Sequence, residues 1–340
     1  MRVLFIGGTG IISTACTALA TQRGIHLTLL TRGKREVQIP RGVEMIAGDV
    51  NSPAVSARLA EEKFDAVVDW IAFTPADIER DINLFRGRTR QFVFISSASV
   101  YQKPPSHYLI TESTPLANPY WDYSRNKIAC EERLMQVYRD EGFPVTIVRP
   151  SLTYGETLIP LIMNSWAEMS YTVVHRMLRG EEVIVPGDGT SLWVLTHNSD
   201  FAKGFVGLLG NEQAVGHSFH ITSDEVLTWN QIYAIVGAAV GVEPKILHIP
   251  SDFIVACQPD KEGSLLGDKS MSVVFDNTKI KRFVPGYCAT TSFAQGIRQS
   301  LAWFDADPAR KRIDHDADAA LNKLISAYKQ GMEGAIKNFR

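Results

Sequence analysis

A phenol and an ammonium stand four residues apart in Tyr123-Ser124-Arg125-Asn126-Lys127. On a helix, that spacing puts both on one face. A nearby cation favours phenolate and lowers a phenol's pKa, so Tyr123 in this setting can act as a general acid or base near neutral pH. Tyr-x-x-x-Lys is common by chance and gains weight only from its surroundings. Upstream, the apolar run Phe92–Ile95 leads into Ser96-Ser97-Ala98-Ser99-Val100-Tyr101. If that run is a buried parallel strand, its carboxyl end is where open α/β sheets bind ligands. Ser97 is then placed to donate to a carbonyl or hydroxyl oxygen beside Tyr123, with Ser99 close behind. The residues expected to carry chemistry are Ser97, Tyr123 and Lys127.

A second group of residues has the types that hold an anion. The run 3–6 passes into Gly7-Gly8-Thr9-Gly10-Ile11-Ile12-Ser13, where a helical pattern starts. Gly7 and Gly10 permit a tight turn and close approach of backbone N–H groups to a pyrophosphate. The helix N-terminus adds its positive end, and the position between a strand and a helix is the context that gives a glycine motif meaning. Ser13 replaces a third glycine whose role is helix–strand packing, a place a small serine can fill. Gly7, Thr9, Gly10, Ile11 and Ile12 are the expected dinucleotide contacts. The second strand ends in Leu29-Leu30-Thr31-Arg32-Gly33-Lys34. It lacks the carboxylate that would accept from the ribose 2′-OH of NAD, and Arg32 can clamp a 2′-phosphate. The expected cofactor is therefore NADP, with NAD as the alternative. Asp49 is a candidate acceptor for the adenine amino group, with Val50 beside it; a capping Asp in a loop is the competing reading.

These residues need a scaffold, and the apolar pattern supplies one. Strands are expected at 3–6, 26–30, 43–46, 66–70, 92–95 and 146–148, alternating with helices at 11–23, 53–62, 75–85 and 124–141. Continuous Val/Ile/Leu/Phe runs mark strands buried on both faces, and the alternation marks right-handed βαβ units. The fold class is α/β: a Rossmann-type doubly wound parallel sheet with a smaller α+β substrate-binding lobe. Residues 1–155 form the dinucleotide-binding domain and 156–305 mainly the substrate lobe. A segment near 193–222 returns to the first sheet, and 306–340 ends in a surface helix. Within the lobe, 158–179 reads as mostly helical, 183–185 and 218–221 as strands, and 199–209 and 228–240 as helices. Residues 252–269 are mixed in pattern and read as a mobile stretch.

Taken together, the motifs resemble the extended short-chain dehydrogenase/reductases of the NAD-dependent epimerase/dehydratase family. The matching pieces are the Gly7–Ser13 loop, Gly48-Asp49-Val50, Ser96 to Tyr101, the Tyr123/Lys127 pair, and Val148-Arg149-Pro150 with Tyr154-Gly155. Weaker matches follow at Pro186-Gly187-Asp188-Gly189, His197-Asn198-Ser199-Asp200 and Phe275-Asp276-Asn277-Thr278-Lys279. The resemblance implies Tyr123 as acid/base, Lys127 binding the nicotinamide ribose and tuning Tyr123, and Ser97 holding the reacting oxygen. It also implies Ile71, Ala72, Pro150 and Leu152 along the cofactor. The activity implied is movement of hydride to or from a carbinol carbon of a sugar-like or polyol substrate. Whether the hydride returns, as in an epimerase, or leaves with the cofactor stays open. Nucleotide-sugar members commonly use an arginine after the Gly-Asp-Gly region to hold a diphosphate, and Trp193 stands there instead. Unless Arg176 or Arg179 serves that role, the wall formed by Trp121, Asn164 and Trp193 suits a neutral sugar or polyol. Core anchoring by Trp121 and Trp193 is the competing reading. The resemblance also implies a homodimer built on helices that include 124–141.

Composition sets the outer limits. In 340 residues, 35 Lys+Arg face 37 Asp+Glu for a formal charge of -2, which argues against nucleic acid held by phosphate neutralisation. At 45% hydrophobic and 21% charged residues the chain is expected to fold rather than remain disordered. No apolar run approaches the roughly 18 residues of a membrane span, and no leader pattern opens the chain. Four separated cysteines without a CxxC pair point to free thiols in a reducing cytoplasm. His197, His217 and His220 match no zinc spacing, so no metal is expected. A non-catalytic NAD(P)-binding sensor or RNA-associated protein on the same scaffold is the alternative function. The presence of Ser97, Tyr123 and Lys127 together weighs against it.

Overall fold

The structure is a computed structural model that describes residues 1–34 and 37–340. Short runs of apolar residues build its centre because alternate side chains are buried on opposite faces. Val3, Phe5, Leu27, Leu29, Val68 and Val93 turn to one side, and Leu4, Ile6, Leu30, Val67, Phe92 and Phe94 to the other. Seven strands pair in parallel in the spatial order Ser218–His220, Val145–Arg149, Phe92–Ile95, Ala66–Asp69, Arg2–Ile6, His26–Thr31, Glu44–Ala47. The order reverses between Arg2–Ile6 and Ala66–Asp69, which opens a crevice at their carboxyl ends.

Helices cover both faces. Cys16 and Ala20 of Ile11–Gln22 pack on one face together with Phe201 and Phe205 of Asn198–Leu208. Pro53–Ala60, Pro75–Phe85 and Asp122–Glu141 cover the other through Leu59, Ile78, Ile82, Cys130 and Leu134. Two of these starts are written in the sequence, since Ser52 and Thr74 accept from Val55 N–H and Asp77 N–H, each just before a proline. Gly142, at φ 72, ends the helix that carries Tyr123.

The third strand sits one residue later than the apolar pattern predicts, at Glu44–Ala47. The larger departure is at 158–179, where only Thr172–Leu178 is α-helical, preceded by a 3-10 turn at Ala167–Met169. Pro160 lacks an N–H and its ring obstructs a continuing helix. Met163 and Ala167 take left-handed φ values of 59° and 54°. Residues 252–269 form successive helical turns, at Ser251–Cys257, Pro259–Lys261, Glu262–Ser264 and Leu265–Lys269.

The smaller lobe buries Trp193, Trp229, Tyr233, Val185, Ile249 and Ile297 in a cluster that it shares with Ala98, Tyr101, Ile110 and Tyr154 of the preceding residues. Its strand pairs include Glu182–Pro186 with Lys245–Ile249 and Leu192–Trp193 with Leu227–Thr228. The C-terminal helix His315–Phe339 is fastened to this lobe by Arg176, which is 1% exposed and bonds Asp318 Oδ1 at 2.6 Å and Asn322 Oδ1 at 2.9 Å. Arg176→Ala should therefore destabilise the protein by about 3 kcal/mol, the loss expected when one partner of a buried ion pair is removed. Denaturant unfolding checks this, and an unchanged midpoint would show that the clamp contributes nothing. Among the described residues, no helix is long and apolar enough to cross a membrane.

Candidate functional site

The glycine loop lies on one lip of the crevice. Gly7 and Gly8 have φ near +100°, whereas Gly10, at φ -89, is the N-cap of Ile11–Gln22. The left-handed turn thus falls to Gly7 and Gly8, not to the Gly7/Gly10 pair that the motif suggests. A Cβ on Gly8 would meet Leu29 Cδ2 at 2.8 Å, and one on Gly7 would meet Trp70 Cβ at 3.1 Å and Ile71 Cγ2 at 3.2 Å. The first turn of the helix has no side-chain cap from Gly10, and Ser13 Oγ accepts from Gly10 N–H at 2.8 Å. A helix start whose N-cap is a glycine, behind a turn at Gly7 and Gly8 that tolerates no side chain, fits the pyrophosphate of a dinucleotide.

The opposite lip is the loop after Ala66–Asp69. Asp69 is fully buried, and its Oδ1 accepts from Ile71 N–H at 2.5 Å and Ala72 N–H at 2.7 Å. Its other oxygen bonds Arg80 Nη2 at 3.0 Å, and Arg80 also binds Asp81 at 2.8 Å. Burial, with the Asp69 carboxylate beside it, pushes the Asp81 carboxyl well above the usual range. Lys127 ties this loop to the next strand by donating to Ala72 O at 2.6 Å and Ile95 O at 2.7 Å. Its ammonium lies 4.6 Å from the Phe73 ring centroid and 4.8 Å from that of Phe94. Burial pushes it down to about 8.

Tyr123 stands one turn earlier on the same helix, its ring 5.0 Å from Trp121, 6.3 Å from Phe73 and 5.9 Å from Lys127 Nζ. Burial raises its hydroxyl pKa, opposed by a hydrogen bond from Ser97 and reinforced by the Asp268 charge. The direction is opposite to the one expected from the Tyr-x-x-x-Lys spacing. Lys127 turns its charge to two carbonyls, and desolvation of the phenol dominates. Ser97 Oγ lies 2.9 Å from Ser99 Oγ, which accepts from Ser124 Oγ at 2.7 Å. Ser99 therefore backs Ser97 rather than standing forward of it. Asn118 Nδ2 donates to Ser99 O and to Gly267 O, both at 2.8 Å, and so joins the serine turn to the segment bearing Asp268. Ser124, Asn118, Phe73 and Asp268 were not singled out by sequence reasoning. Only Asn118, before Pro119 in a loop, carried a local signal.

The remaining expected residues divide. Arg32 is exposed just past His26–Thr31, and Val50 is 3% exposed. Asp49 is exposed, and its Oδ1 accepts from Asn51 N–H at 2.9 Å, the loop-capping alternative. Pro150 O accepts from Ala98 N–H at 2.8 Å, and Leu152 pairs with Leu195. Asn164 does not present a free amide to a substrate. Its Nδ2 bonds Ile159 O and Ser170 O, and its Oδ1 accepts from Ser165 and Val173 N–H, which holds the turn that replaces a helix. Trp193 is a core residue at 1% exposure, packed 5.6 Å from Trp229. Arg176 is buried and engaged by Asp318 and Asn322, and the exposed Arg179 bonds Glu181 and Asp318. Among the described residues, no cluster of three or more His, Cys, Asp or Glu could hold a metal ion.

Comparison with known proteins agrees with this architecture. The profile of the NAD dependent epimerase/dehydratase family matches residues 3–222. The chain belongs to that family. Among relatives, 2'-dehydrokanamycin reductase of Streptomyces kanamyceticus is 27% identical over 289 residues, covering 84% of this chain and 80% of that protein. The chloroplast stem-loop binding protein of 41 kDa b of Arabidopsis thaliana is 29% identical over 345 residues, covering 96% and 85%. The dTDP-glucose 4,6-dehydratase of Bacillus anthracis, solved in complex with NAD, superposes with a TM-score of 0.70 at 19% identity, covering 90% of this chain and 97% of that one. In this family setting, the glycine loop at the carboxyl edge of the sheet is the expected seat of the dinucleotide.

Proposed function

We propose that the protein is an NAD(P)-dependent oxidoreductase that moves hydride to or from a carbinol carbon of a sugar-like or polyol substrate, with Tyr123 exchanging the proton. The observation that carries this reading is the grouping of Ser97, Tyr123 and Lys127 at the carboxyl edge of the sheet, beside the glycine crevice. The nicotinamide, when bound, supplies or accepts the hydride. Ser97 holds the substrate oxygen by a hydrogen bond. Tyr123 gives its phenolic proton to that oxygen as the carbonyl becomes a hydroxyl, or removes it in the reverse direction. A phenol whose pKa is raised keeps its proton at neutral pH, the form that donates when a ketone is reduced. The reductase among the relatives is in keeping with this direction.

Several finer features follow from the same reading. With Arg176 and Arg179 engaged by the C-terminal helix, a neutral ring suits the site better than a nucleoside diphosphate. Arg32 at the end of the second strand, where no carboxylate stands, favours NADP over NAD. Four free cysteines fit a reducing cytoplasm, and a homodimer through the helix Asp122–Glu141 is the assembly the family resemblance implies. Mixing the protein with deuterated NADPH or NADH and a panel of keto-sugars and inososes tests the reading. Deuterium should appear on the new carbinol carbon, faster from NADPH. Bound cofactor with no transfer to any ketone would defeat it.

The 29% identical stem-loop binding protein favours a second reading, in which the scaffold binds RNA. Titration of a labelled RNA stem-loop distinguishes the two. Affinity that falls steeply with salt, together with no hydride transfer, would favour the second.

A further inference from the structure

Beyond the serine turn, the chain folds back so that Lys103 N–H donates to Ala117 O at 2.8 Å. The Lys103 side chain is 4% exposed, although it carries a charged end. Among the described residues its Nζ has no hydrogen-bond acceptor, and the charges that act on it are Asp268 and Lys269. Those two form an ion pair at 2.8 Å, with side chains 16% and 19% exposed. Their segment, Leu265–Lys269, is fixed at the site by Asn118 and by close packing on Trp121, where a Cβ on Gly267 would stand 3.2 Å from Trp121 Cβ. Asn118, bonded to Ser99 O and Gly267 O, holds the segment bearing Asp268 against the serine turn, and the Asp268 charge acts on both the Tyr123 hydroxyl and the Lys103 ammonium.

We infer that Lys103 and Asp268 are the specificity residues of this site, Lys103 donating to and Asp268 accepting from neighbouring hydroxyls of a neutral polyhydroxylated ring beside the carbinol that Tyr123 serves. This rests on the reading of Tyr123 given above. A hydroxyl both donates and accepts, so a vicinal pair satisfies the ammonium and the carboxylate at once. The alternating signs of Lys103, Asp268 and Lys269 also work against charged ligands. Specificity of this kind arises as much from repulsion of the wrong ligand as from attraction of the right one.

Isothermal titration of the NADPH-loaded protein tests this without turnover. The probes are myo-inositol and methyl glucoside as neutral rings, cyclohexanol as a ring without the second hydroxyl, and glucuronate and glucosamine as charged rings. A neutral polyol should bind at least about 10-fold more tightly than cyclohexanol and either charged ring. Lys103→Met and Asp268→Asn, which keep side-chain size, should each weaken that binding about 10-fold or more, with NADPH affinity unchanged as proof of folding. Tyr123→Phe should bind the polyol as the wild type does, which separates this inference from the acid/base reading. No binding of either neutral polyol, equal or tighter binding of cyclohexanol, glucuronate or glucosamine, or unchanged affinity in both variants would overturn it. If a variant loses NADPH binding, the wild-type selectivity series decides alone.

Discussion

Tyr123→Phe should lower hydride exchange by roughly 10²- to 10⁴-fold, the range expected when a positioned acid/base is removed. The substitution deletes one oxygen and leaves the ring, which packs against Trp121 and Phe73. Cofactor affinity and thermal stability should therefore change little, and the loss should appear in kcat with KM nearly constant. Ser97→Ala, which removes a hydroxyl that also bonds Ser99, should give a smaller loss. Steady-state kinetics on whichever ketone accepts deuterium in the labelling experiment checks both. Retention of more than about a tenth of wild-type kcat in Tyr123→Phe would assign the proton transfer to another group.

Legibility of the sequence followed the range over which each interaction acts. Strands of the first half are continuous apolar runs because both faces are covered, so Arg2–Ile6, Phe92–Ile95 and the helix Pro75–Phe85 stand out with nearly correct limits. The helix expected over 158–179 does not form in its first half because Pro160 obstructs it and the Asn164 side chain takes the place of four backbone partners. Within the site, Tyr123, Lys127 and Ser97 were visible because two of them share a helix face and the third ends a strand. Their electrostatics were not visible: the spacing implies an ammonium lowering a phenol's pKa, whereas burial raises it and Lys127 turns to Ala72 O and Ile95 O. Asp268 and Lys103 escaped notice for a different reason. They lie far apart in sequence, and what joins their segments is Asn118, which follows the Lys103 partner Ala117 and reaches Gly267, 149 residues away. Trp193 shows the converse, a residue whose type suggests a ligand wall but whose 1% exposure places it in the core.

Lys127 should govern the alkaline side of the activity. Its pKa is pushed down from 10.5 to about 8 by burial, so the folded protein releases this proton as pH rises through about 8. The unfolded chain holds it to about 10.4. A depressed lysine pKa is a cost of the charged form, amounting to about 3 kcal/mol at neutral pH, and the cost is relieved as pH rises from about 8 towards 10. Stability and activity should then move in opposite directions. Relative to Lys127→Met, the wild type should gain stability over that pH window, read as a rising difference in unfolding free energy. Its kcat/KM should fall over the same window, because the neutral amine still donates to Ala72 O or Ile95 O but no longer offers a positive charge to a developing phenolate. Tyr123, whose pKa is raised, is not the group that titrates near 8 in the free protein. Lys127→Arg, which stays charged, should lose the fall near pH 8 while keeping a reduced activity. Lys127→Met should lose roughly 10²-fold across all pH, as when a transition-state charge loses its partner. A fall near pH 8 that survives in Lys127→Arg would belong to another group, with Lys103 the first to examine because burial lowers its pKa as well.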